Sequence, residues 1–155
     1  MEKIDSLNQV AEFHKTFNAP ILETPQIPSK DRADLRVRLL QEELDELKEA
    51  ILNNNITEVA DALCDLQYVL SGAVLEFGLG NKFVELFNEV HRSNMSKACD
   101  NEEQAAETIA FYKEKGQEAY AEKSGDKINV HRVNDKKVLK NKYYSPADLK
   151  SILEK

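Results

Sequence analysis

The chain has 155 residues, of which 41% are hydrophobic and 32% are charged, and its formal net charge is −7. This length predicts a single domain over residues 1–155, and no apolar run reaches the roughly 20 residues that a membrane-spanning helix needs. The negative charge argues against a nucleic-acid polymer as partner, but it allows a single nucleotide, because a bound divalent cation reverses the local field.

Apolar residues at helical spacing predict five helices in the first part of the chain. Pro20, Pro25 and Pro28 interrupt the pattern after the first helix, and the polar turn Asn53–Asn55 separates the second helix from the third. Thr57 is the predicted N-cap of the third helix. The predicted helices cover residues 4–18, 30–52, 57–77, 81–95 and 100–115.

The pattern changes in the last thirty residues. Residues 127–133 alternate apolar and polar side chains, Asn134-Asp135 is a turn pair, and residues 137–140 are predicted to return as the second strand of a hairpin. A short last helix with Pro146 in its first turn follows. The predicted fold class is therefore all-α, a helical bundle over residues 1–120 with a small β-hairpin and a terminal helix at 126–155.

Two acidic clusters carry the most specific signal. Glu43 and Glu46 are three residues apart on the second predicted helix, and Glu58 and Asp61 are three apart on the third. Residues at this spacing share a helix face, so an antiparallel pair of these helices directs four carboxylates into one space. All-oxygen ligation of this kind is what Mg²⁺ or Mn²⁺ prefers.

Acidic runs on helices are usually solvated surfaces, but the third helix is apolar over most of its circumference. We therefore expect Glu58, Asp61 and Asp65 to be partly buried beside Ala62 and Val69, where unpaired charge is costly. No Lys or Arg lies between residues 56 and 77 to neutralise them, which favours an external cation. On the second helix, Glu43 and Glu46 flank the stripe of Leu40, Leu44, Leu47 and Ile51, whereas Glu49 points outward.

A second cluster of polar residues ends the fourth predicted helix. Arg92 and Lys97 are candidate charge partners of phosphates, with Asn94 and Ser96 as neutral donors. The same cations also suit a helix C-terminus for dipole reasons alone. Candidates for base or sugar recognition are His14, Phe17 and Tyr68, each of which is otherwise a core residue.

These motifs resemble the all-α nucleoside triphosphate pyrophosphohydrolases, a superfamily that includes MazG and the phosphoribosyl-ATP pyrophosphohydrolases. The likeness rests on E-E-x-x-E at 42–46, E-x-x-D-A-x-x-D at 58–65 and E-V-H-R-S-N-M-S-K at 89–97, with Phe13-His14, Leu35-Arg36 and the Y-S-P-A-D-L tail in support. It departs where Lys136 follows Asp135, since Gly is usual there. The resemblance implies Mg²⁺ ligands at Glu43, Glu46, Glu58 and Asp61, and substrate contacts at Asn94, Lys97 and Arg92.

Three functions follow as hypotheses. The first is Mg²⁺-dependent cleavage of a nucleoside triphosphate between the α and β phosphates, with Glu46 essential and Glu42 or Asp65 taking the proton of the attacking water. The second is the same chemistry on phosphoribosyl-ATP in histidine biosynthesis. The third is a non-catalytic helical module whose acidic face binds a basic partner.

The cysteines indicate the expected location of the protein, and the resemblance indicates its expected oligomeric state. Cys64 lies in an apolar stretch and is expected to be a small core residue, and reduced thiols without a signal peptide predict a cytoplasmic location. The resemblance also implies a homodimer or a dimer of dimers, acting on a small nucleotide rather than on a nucleic acid or a membrane.

Overall fold

The computed structural model describes residues 4–155, which form six helices and one two-stranded antiparallel sheet. This confirms the predicted fold class. None of the helices in these residues is long and apolar enough to cross a membrane. In chain order the elements are α1 (Ser6–Thr16), α2 (Lys30–Leu52), α3 (Ile56–Glu76), α4 (Phe83–Met95), α5 (Glu102–Glu114), β1 (Ala119–Ser124), β2 (Lys127–Arg132) and α6 (Leu149–Leu153).

The chain divides into two compact units, of which the first ends at Phe83 and the second begins at Val84. The first unit contains α1, α2 and α3, and the second contains the remaining elements apart from the first residue of α4. The organisation as one domain, with a helical core at 1–120 and an appendage at 126–155, stays a prediction.

A three-residue turn joins α2 and α3 into a packed helical hairpin. Asn54 adopts a left-handed conformation (φ 50°), and the side-chain oxygen of Asn55 accepts hydrogen bonds from the backbone N–H groups of Thr57 at 3.1 Å and Glu58 at 3.4 Å. Asn55 is thus the N-cap of α3, and the prediction of Thr57 was wrong, because Thr57 already lies inside the helix.

The proline-containing segment after α1 runs along the end of α3. The N–H of Leu22 donates to the carbonyl of Leu75 at 3.0 Å, and the N–H of Gln26 donates to the carbonyl of Phe77 at 3.1 Å. Gly78 makes this approach possible, since it has a φ of +70° and a Cβ there would lie 1.9 Å from the carbonyl oxygen of Thr24. This contact fixes the segment that separates α1 from α2.

A buried carboxylate holds α3 to α2. Glu76 is fully buried, and its oxygens accept hydrogen bonds from the guanidinium groups of Arg32 and Arg36. Burial alone raises the pKa of Glu76, but the hydrogen bonds and charges of the two arginines outweigh it and lower the pKa. The carboxylate is therefore ionised, and its charge is compensated within the helical pair.

The same network reaches α1 through a buried histidine. His14 is only 2% exposed, with Nδ1 2.8 Å from the carbonyl oxygen of Pro20 and Nε2 3.1 Å from Nη2 of Arg36. Because the carbonyl only accepts and the guanidinium only donates, Nδ1 carries the proton and Nε2 accepts. Gly72 leaves room for this contact, since a Cβ there would lie 2.6 Å from Nη1 of Arg36.

The hairpin of the second unit pairs different strands from those predicted. β1 and β2 are joined through Gly125 (φ +61°), and the last pair in their register is Ser124 with Lys127. Residues 137–140 do return beside β2, where Arg132 bonds to Lys137 and Leu139 bonds to Val130 through the backbone. The prediction that they form the second strand was wrong, because they make an isolated bridge, from Val138 to His131, and the strand that pairs with β2 is β1. β1 escaped the sequence pattern because its side chains are nearly all exposed and it shows no apolar face.

Two smaller expectations also failed. The last helix begins at Leu149 with Asp148 as its N-cap, so Pro146 lies before the helix rather than in its first turn. Cys64 is exposed, whereas Cys99 is fully buried in the core of the second unit. That core consists of Cys99, Ala105, Val130 and Leu139, packed against Ile109, Tyr112, Ala119 and Ile128.

Candidate functional site

The hairpin of α2 and α3 brings acidic residues from both helices to one cavity. The cavity has a volume of about 350 Å³ and lies at the end of the hairpin that carries the asparagine turn. Three of the four predicted metal ligands, Glu46, Glu58 and Asp61, line it. The other lining residues are Glu49, Ala50, Asn53, Asn55 and Ala62.

Glu43, the fourth predicted ligand, lies within the same electrostatic environment. Partial burial raises its pKa most, and the neighbouring charges of Glu46, Asp65, Glu42 and Asp61 raise it further. Two of these neighbours belong to α2 and two to α3. The helical hairpin therefore brings together the acidic residues that the sequence placed on two separate helices.

The carboxylates are more exposed than expected. Glu58, Asp61 and Asp65 are all exposed, so the prediction of partial burial was wrong for this chain. The reason is that the first half of α3 is not covered all round, as Leu63 is 52% exposed. The apolar stripe of α2, which contains Leu44 and Ile51, is not the buried side of that helix either, because the buried residues of α2 are Arg36 and Ala50.

The chemistry of these side chains fits a hard divalent cation. In residues 4–155 none of the six predicted carboxylates of α2 and α3 forms an ion pair with Lys or Arg, in contrast to Asp45, which pairs with Lys48 at 2.6 Å. Within the described chain, however, no three His, Cys, Asp or Glu side chains stand close enough to hold an ion as they are placed. Their roles as ligands stay predictions.

Glu49 is a candidate that the sequence analysis missed. The helical projection placed it on the outward face of α2, but it lines the cavity beside Glu46, three residues earlier. The signal was present as the continuation of the acidic spacing by one helical turn. The projection misplaces Glu49 because it takes the side of Leu44 and Ile51 as buried, and these side chains are themselves 40% and 59% exposed.

An exposed aromatic cluster lies in the same unit. The rings of Phe13 and Phe17 are 4.4 Å apart between centroids, and the ring of Tyr68 meets Phe13 edge-on at 5.7 Å. Phe17 is 66% exposed. Tyr68 follows Asp61 and Asp65 at seven and three residues along α3, so all three share one face of the helix.

His14, the remaining candidate of the first unit, lies in the interior. Both of its ring nitrogens are engaged, one by the carbonyl of Pro20 and the other by Arg36. The predicted substrate contact at His14 therefore has no ring nitrogen available in this structure.

The candidate phosphate contacts belong to the second unit. Arg92 forms two hydrogen bonds of 2.7 Å with the carboxylate of Glu89 and donates to the carbonyl of Pro146 at 3.0 Å. The hydrogen bond from Arg92 lowers the pKa of Glu89 most, and with the backbone N–H of Asp148 it brings that pKa to about 2. Arg92 thus has a charged partner, whereas in residues 4–155 the ammonium group of Lys97 donates to a neutral one, Oδ1 of Asn94, at 2.7 Å and forms no ion pair.

Residues 10–94, more than half of the chain, match the phosphoribosyl-ATP pyrophosphohydrolase family. The chain is also 25% identical to "Uncharacterized protein L479" of Acanthamoeba polyphaga mimivirus. The alignment covers 99% of this chain and 97% of the viral protein. The matched range contains most of α1, all of α2 and α3 and most of α4, and so every candidate site residue except Ser96 and Lys97.

Proposed function

Because this chain belongs to the phosphoribosyl-ATP pyrophosphohydrolase family, within the MazG-like superfamily, we propose that it is a Mg²⁺-dependent enzyme that hydrolyses a nucleoside triphosphate to a monophosphate and pyrophosphate. The family supports a nucleotide pyrophosphohydrolase type of activity. The observation that carries the finer proposal is the acidic cavity, where Glu46, Glu58 and Asp61 meet without a cationic partner in the described residues.

In this proposal Glu43, Glu46, Glu58 and Asp61 hold Mg²⁺ (or Mn²⁺), which supplies Lewis acidity to the phosphate oxygens. Water adds to the α-phosphorus, the bond to the bridging oxygen breaks, and pyrophosphate leaves. Glu42 or Asp65 accepts the proton of the attacking water, since both lie beside Glu43 and neither is needed as a ligand. Glu49, which lines the cavity, is the additional carboxylate that can orient this water.

The carboxylates are tested by conservative substitution. Glu46→Gln and Asp61→Asn each lower kcat/KM for pyrophosphate release by at least about three decades, or about 4 kcal/mol. Asp45→Asn is the matched control, because Asp45 is an exposed carboxylate of α2 outside the cavity. Activity retained in both cavity variants would refute the proposal, provided that circular dichroism shows both to be folded.

Metal binding separates this enzyme from a non-catalytic module with an acidic face. Millimolar Mg²⁺ or Mn²⁺ raises the melting temperature of the wild-type protein through linkage, because an ion at a hundred times its Kd adds about 2.7 kcal/mol to the free energy of unfolding. The rise disappears in Glu46→Gln and persists in Asp45→Asn. A wild-type protein that shows no shift with either ion, with or without a nucleotide, would favour the interaction module.

The second candidate substrate is phosphoribosyl-ATP, which the matched family's description favours. We propose that the aromatic cluster of Phe13, Phe17 and Tyr68 contacts the base in either case, because it is exposed and its Tyr68 shares a face of α3 with Asp65. Pyrophosphate release from dUTP, dCTP, dTTP, dATP, GTP and phosphoribosyl-ATP identifies the substrate. Tyr68→Ala raises KM for that substrate about tenfold, whereas Tyr120→Ala, on β1, leaves it unchanged.

For the phosphates we propose contacts from Lys97 and Asn94, with a smaller part for Arg92, whose guanidinium is held by Glu89. Lys97→Ala lowers kcat/KM by roughly one to three decades, which is about 1.4–4 kcal/mol. Asn94→Ala costs less, because a neutral hydrogen bond is weaker. Unchanged turnover in Lys97→Ala, with a small loss of stability, would instead indicate interaction with the helix dipole.

We also propose a homodimer, or a dimer of dimers, in the cytoplasm. Apolar side chains of α2 and α3 are left open within the described chain, where Leu44, Ile51, Leu63 and Leu70 are 40–59% exposed. A second copy of the helical hairpin would cover them and exclude water from the acidic cavity. Light scattering shows the mass of a dimer or tetramer for the wild-type protein and that of a monomer for Leu63→Glu.

A further inference from the structure

A second cavity, in the second unit, has the opposite charge. It has a volume of about 380 Å³ and is lined by Lys97, Arg132, Lys137 and Lys140, with Tyr112 and Val138 among its apolar walls. No Asp or Glu lines it, although the chain carries a net charge of −7. We call it the basic pocket.

The backbone brings these cations together from distant parts of the sequence. After β2 the chain turns and runs back beside it, so that the N–H of Arg132 donates to the carbonyl of Lys137 at 2.9 Å and the N–H of Leu139 donates to the carbonyl of Val130 at 2.7 Å. The N–H of Asn141 then donates to the carbonyl of Lys97 at 3.0 Å, just after α4. The pocket is thus built on hydrogen-bonded backbone.

Three of the four cations have no carboxylate partner among the described residues. Arg132 is neutralised by Asp135 through hydrogen bonds of 2.9 and 2.7 Å. Lys97 contacts only the amide oxygen of Asn94, and Lys140 lies 4.3 Å from the centre of the Tyr144 ring. The ammonium group of Lys137 has no partner in the part of the chain that the structure describes, so three positive charges remain uncompensated.

The positive charges of the basic pocket also act on the nearby Tyr144. The hydrogen bond from Ser93 lowers the pKa of Tyr144 most, and the charges of Lys140, Lys97 and Arg92 lower it further. Positive charges that lie close together repel one another, and a bound anion offsets this repulsion. A diphosphate group carries roughly three negative charges near neutral pH, which matches the three lysines.

We propose that the basic pocket binds a diphosphate group, either inorganic pyrophosphate or the diphosphate of a nucleotide, through Lys97, Lys137 and Lys140. Ammonium groups donate to the phosphate oxygens, and Tyr112 and Val138 contact the apolar part of a nucleotide. The pocket shares Lys97 with the proposed substrate contacts, but its binding of diphosphate requires neither hydrolysis nor the acidic cavity.

The test is calorimetric titration of the full chain with pyrophosphate in EDTA, so that no metal site contributes. The wild-type protein shows saturable binding, and the double variant Lys137→Gln/Lys140→Gln weakens it about tenfold or more. The matched control is Lys113→Gln/Lys123→Gln, which removes the same charge from exposed lysines of the second unit outside the pocket and stays within about twofold of wild type. Absence of saturable binding to the wild type, or equal weakening in both double variants, overturns the proposal.

Titrations with other ligands and with a variant of the acidic cavity identify the ligand and separate diphosphate binding from the proposed hydrolysis. ADP binds at least as tightly as pyrophosphate if the pocket takes a nucleotide, and more weakly if it takes free pyrophosphate, whereas adenosine does not bind in either case. Glu46→Gln keeps wild-type affinity for pyrophosphate in EDTA even though it abolishes hydrolysis. Loss of pyrophosphate binding in Glu46→Gln, or preference for adenosine over ADP, would contradict a diphosphate site of the second unit.

Discussion

Glu76→Gln removes the negative charge that compensates two arginines of α2. Arg36 is 7% exposed, and among the described residues its Nε is a buried atom with no hydrogen-bond partner, while its Nη2 also contacts the neutral His14 at 3.1 Å, so the carboxylate is the group that compensates its charge. Removal of one member of a buried ion pair costs about 3–5 kcal/mol. Because the amide oxygen of glutamine still accepts one hydrogen bond, we expect the lower value, about 3 kcal/mol, or roughly 6–12 °C in Tm.

Urea denaturation at pH 7 measures this loss directly. Glu154→Gln is the control, because Glu154 forms an exposed pair with Lys150 at 3.5 Å and its substitution changes the free energy of unfolding by less than about 0.5 kcal/mol. A cost below about 1 kcal/mol for Glu76→Gln would show that the network does not hold α2 to α3.

The pH dependence gives an independent check. The pKa of Glu76 is lowered from its ordinary value of 4.5, so its ionisation stabilises the folded state above that value. This contribution is lost as the pH falls below about 4.5 towards the folded-state pKa. The wild-type protein therefore loses stability in this range faster than Glu76→Gln does, and parallel pH profiles would refute the assignment.

Three further outcomes follow from the geometry. The raised pKa of Glu43 means that its ionisation opposes folding, so in EDTA Glu43→Gln is more stable than the wild-type protein at pH 7. The difference vanishes as the pH falls below about 4.5, because the side chain at position 43 is then neutral in both proteins. Urea denaturation at the two pH values checks this, and a difference that persists at low pH would contradict it. Gly72→Ala places a Cβ 2.6 Å from Nη1 of Arg36 and lowers the free energy of unfolding by about 1–3 kcal/mol, whereas Gly116→Ala, where a Cβ meets nothing within 4 Å, lowers it only through its φ of +71°. Lys136→Gly relieves a left-handed residue (φ 56°) and raises the melting temperature by an amount equivalent to about 0.5–1 kcal/mol, while Lys123→Gly, in a strand, lowers it.

The helices were predictable because their apolar spacing is local information. The turn at Asn53–Asn55 was recognised as well, but its cap was assigned to Thr57 because the pattern of polar residues alone does not show where helical geometry begins. β1 was missed since Tyr120 and its neighbours show no apolar alternation, although Gly125-Asp126 before β2 offered a turn signal.

The sequence predicted which carboxylates α2 and α3 bring close together, but not what surrounds them. The pairs at three-residue spacing identified the carboxylates, because that spacing is a property of one helix. Burial depends on what covers α3, which is long-range information, and so the exposure of Asp61 was misjudged. Arg36 and Glu76 are 40 residues apart, and single charges on helices give no sign that they will pair in the interior.

Because Cys64 is exposed, the native protein can be labelled with a spectroscopic probe on α3. Cys64 follows Asp61 by three residues and precedes Asp65 by one, whereas the chain's other cysteine, Cys99, is fully buried and has its pKa raised mainly by that burial. A maleimide or nitroxide reagent therefore reacts selectively at α3 without any cysteine being removed. A nitroxide placed there lies within one helical turn of Asp61 in the acidic cavity. Paramagnetic Mn²⁺ bound in the cavity would broaden the nitroxide spectrum, so the broadening would measure the fraction of occupied sites during a titration.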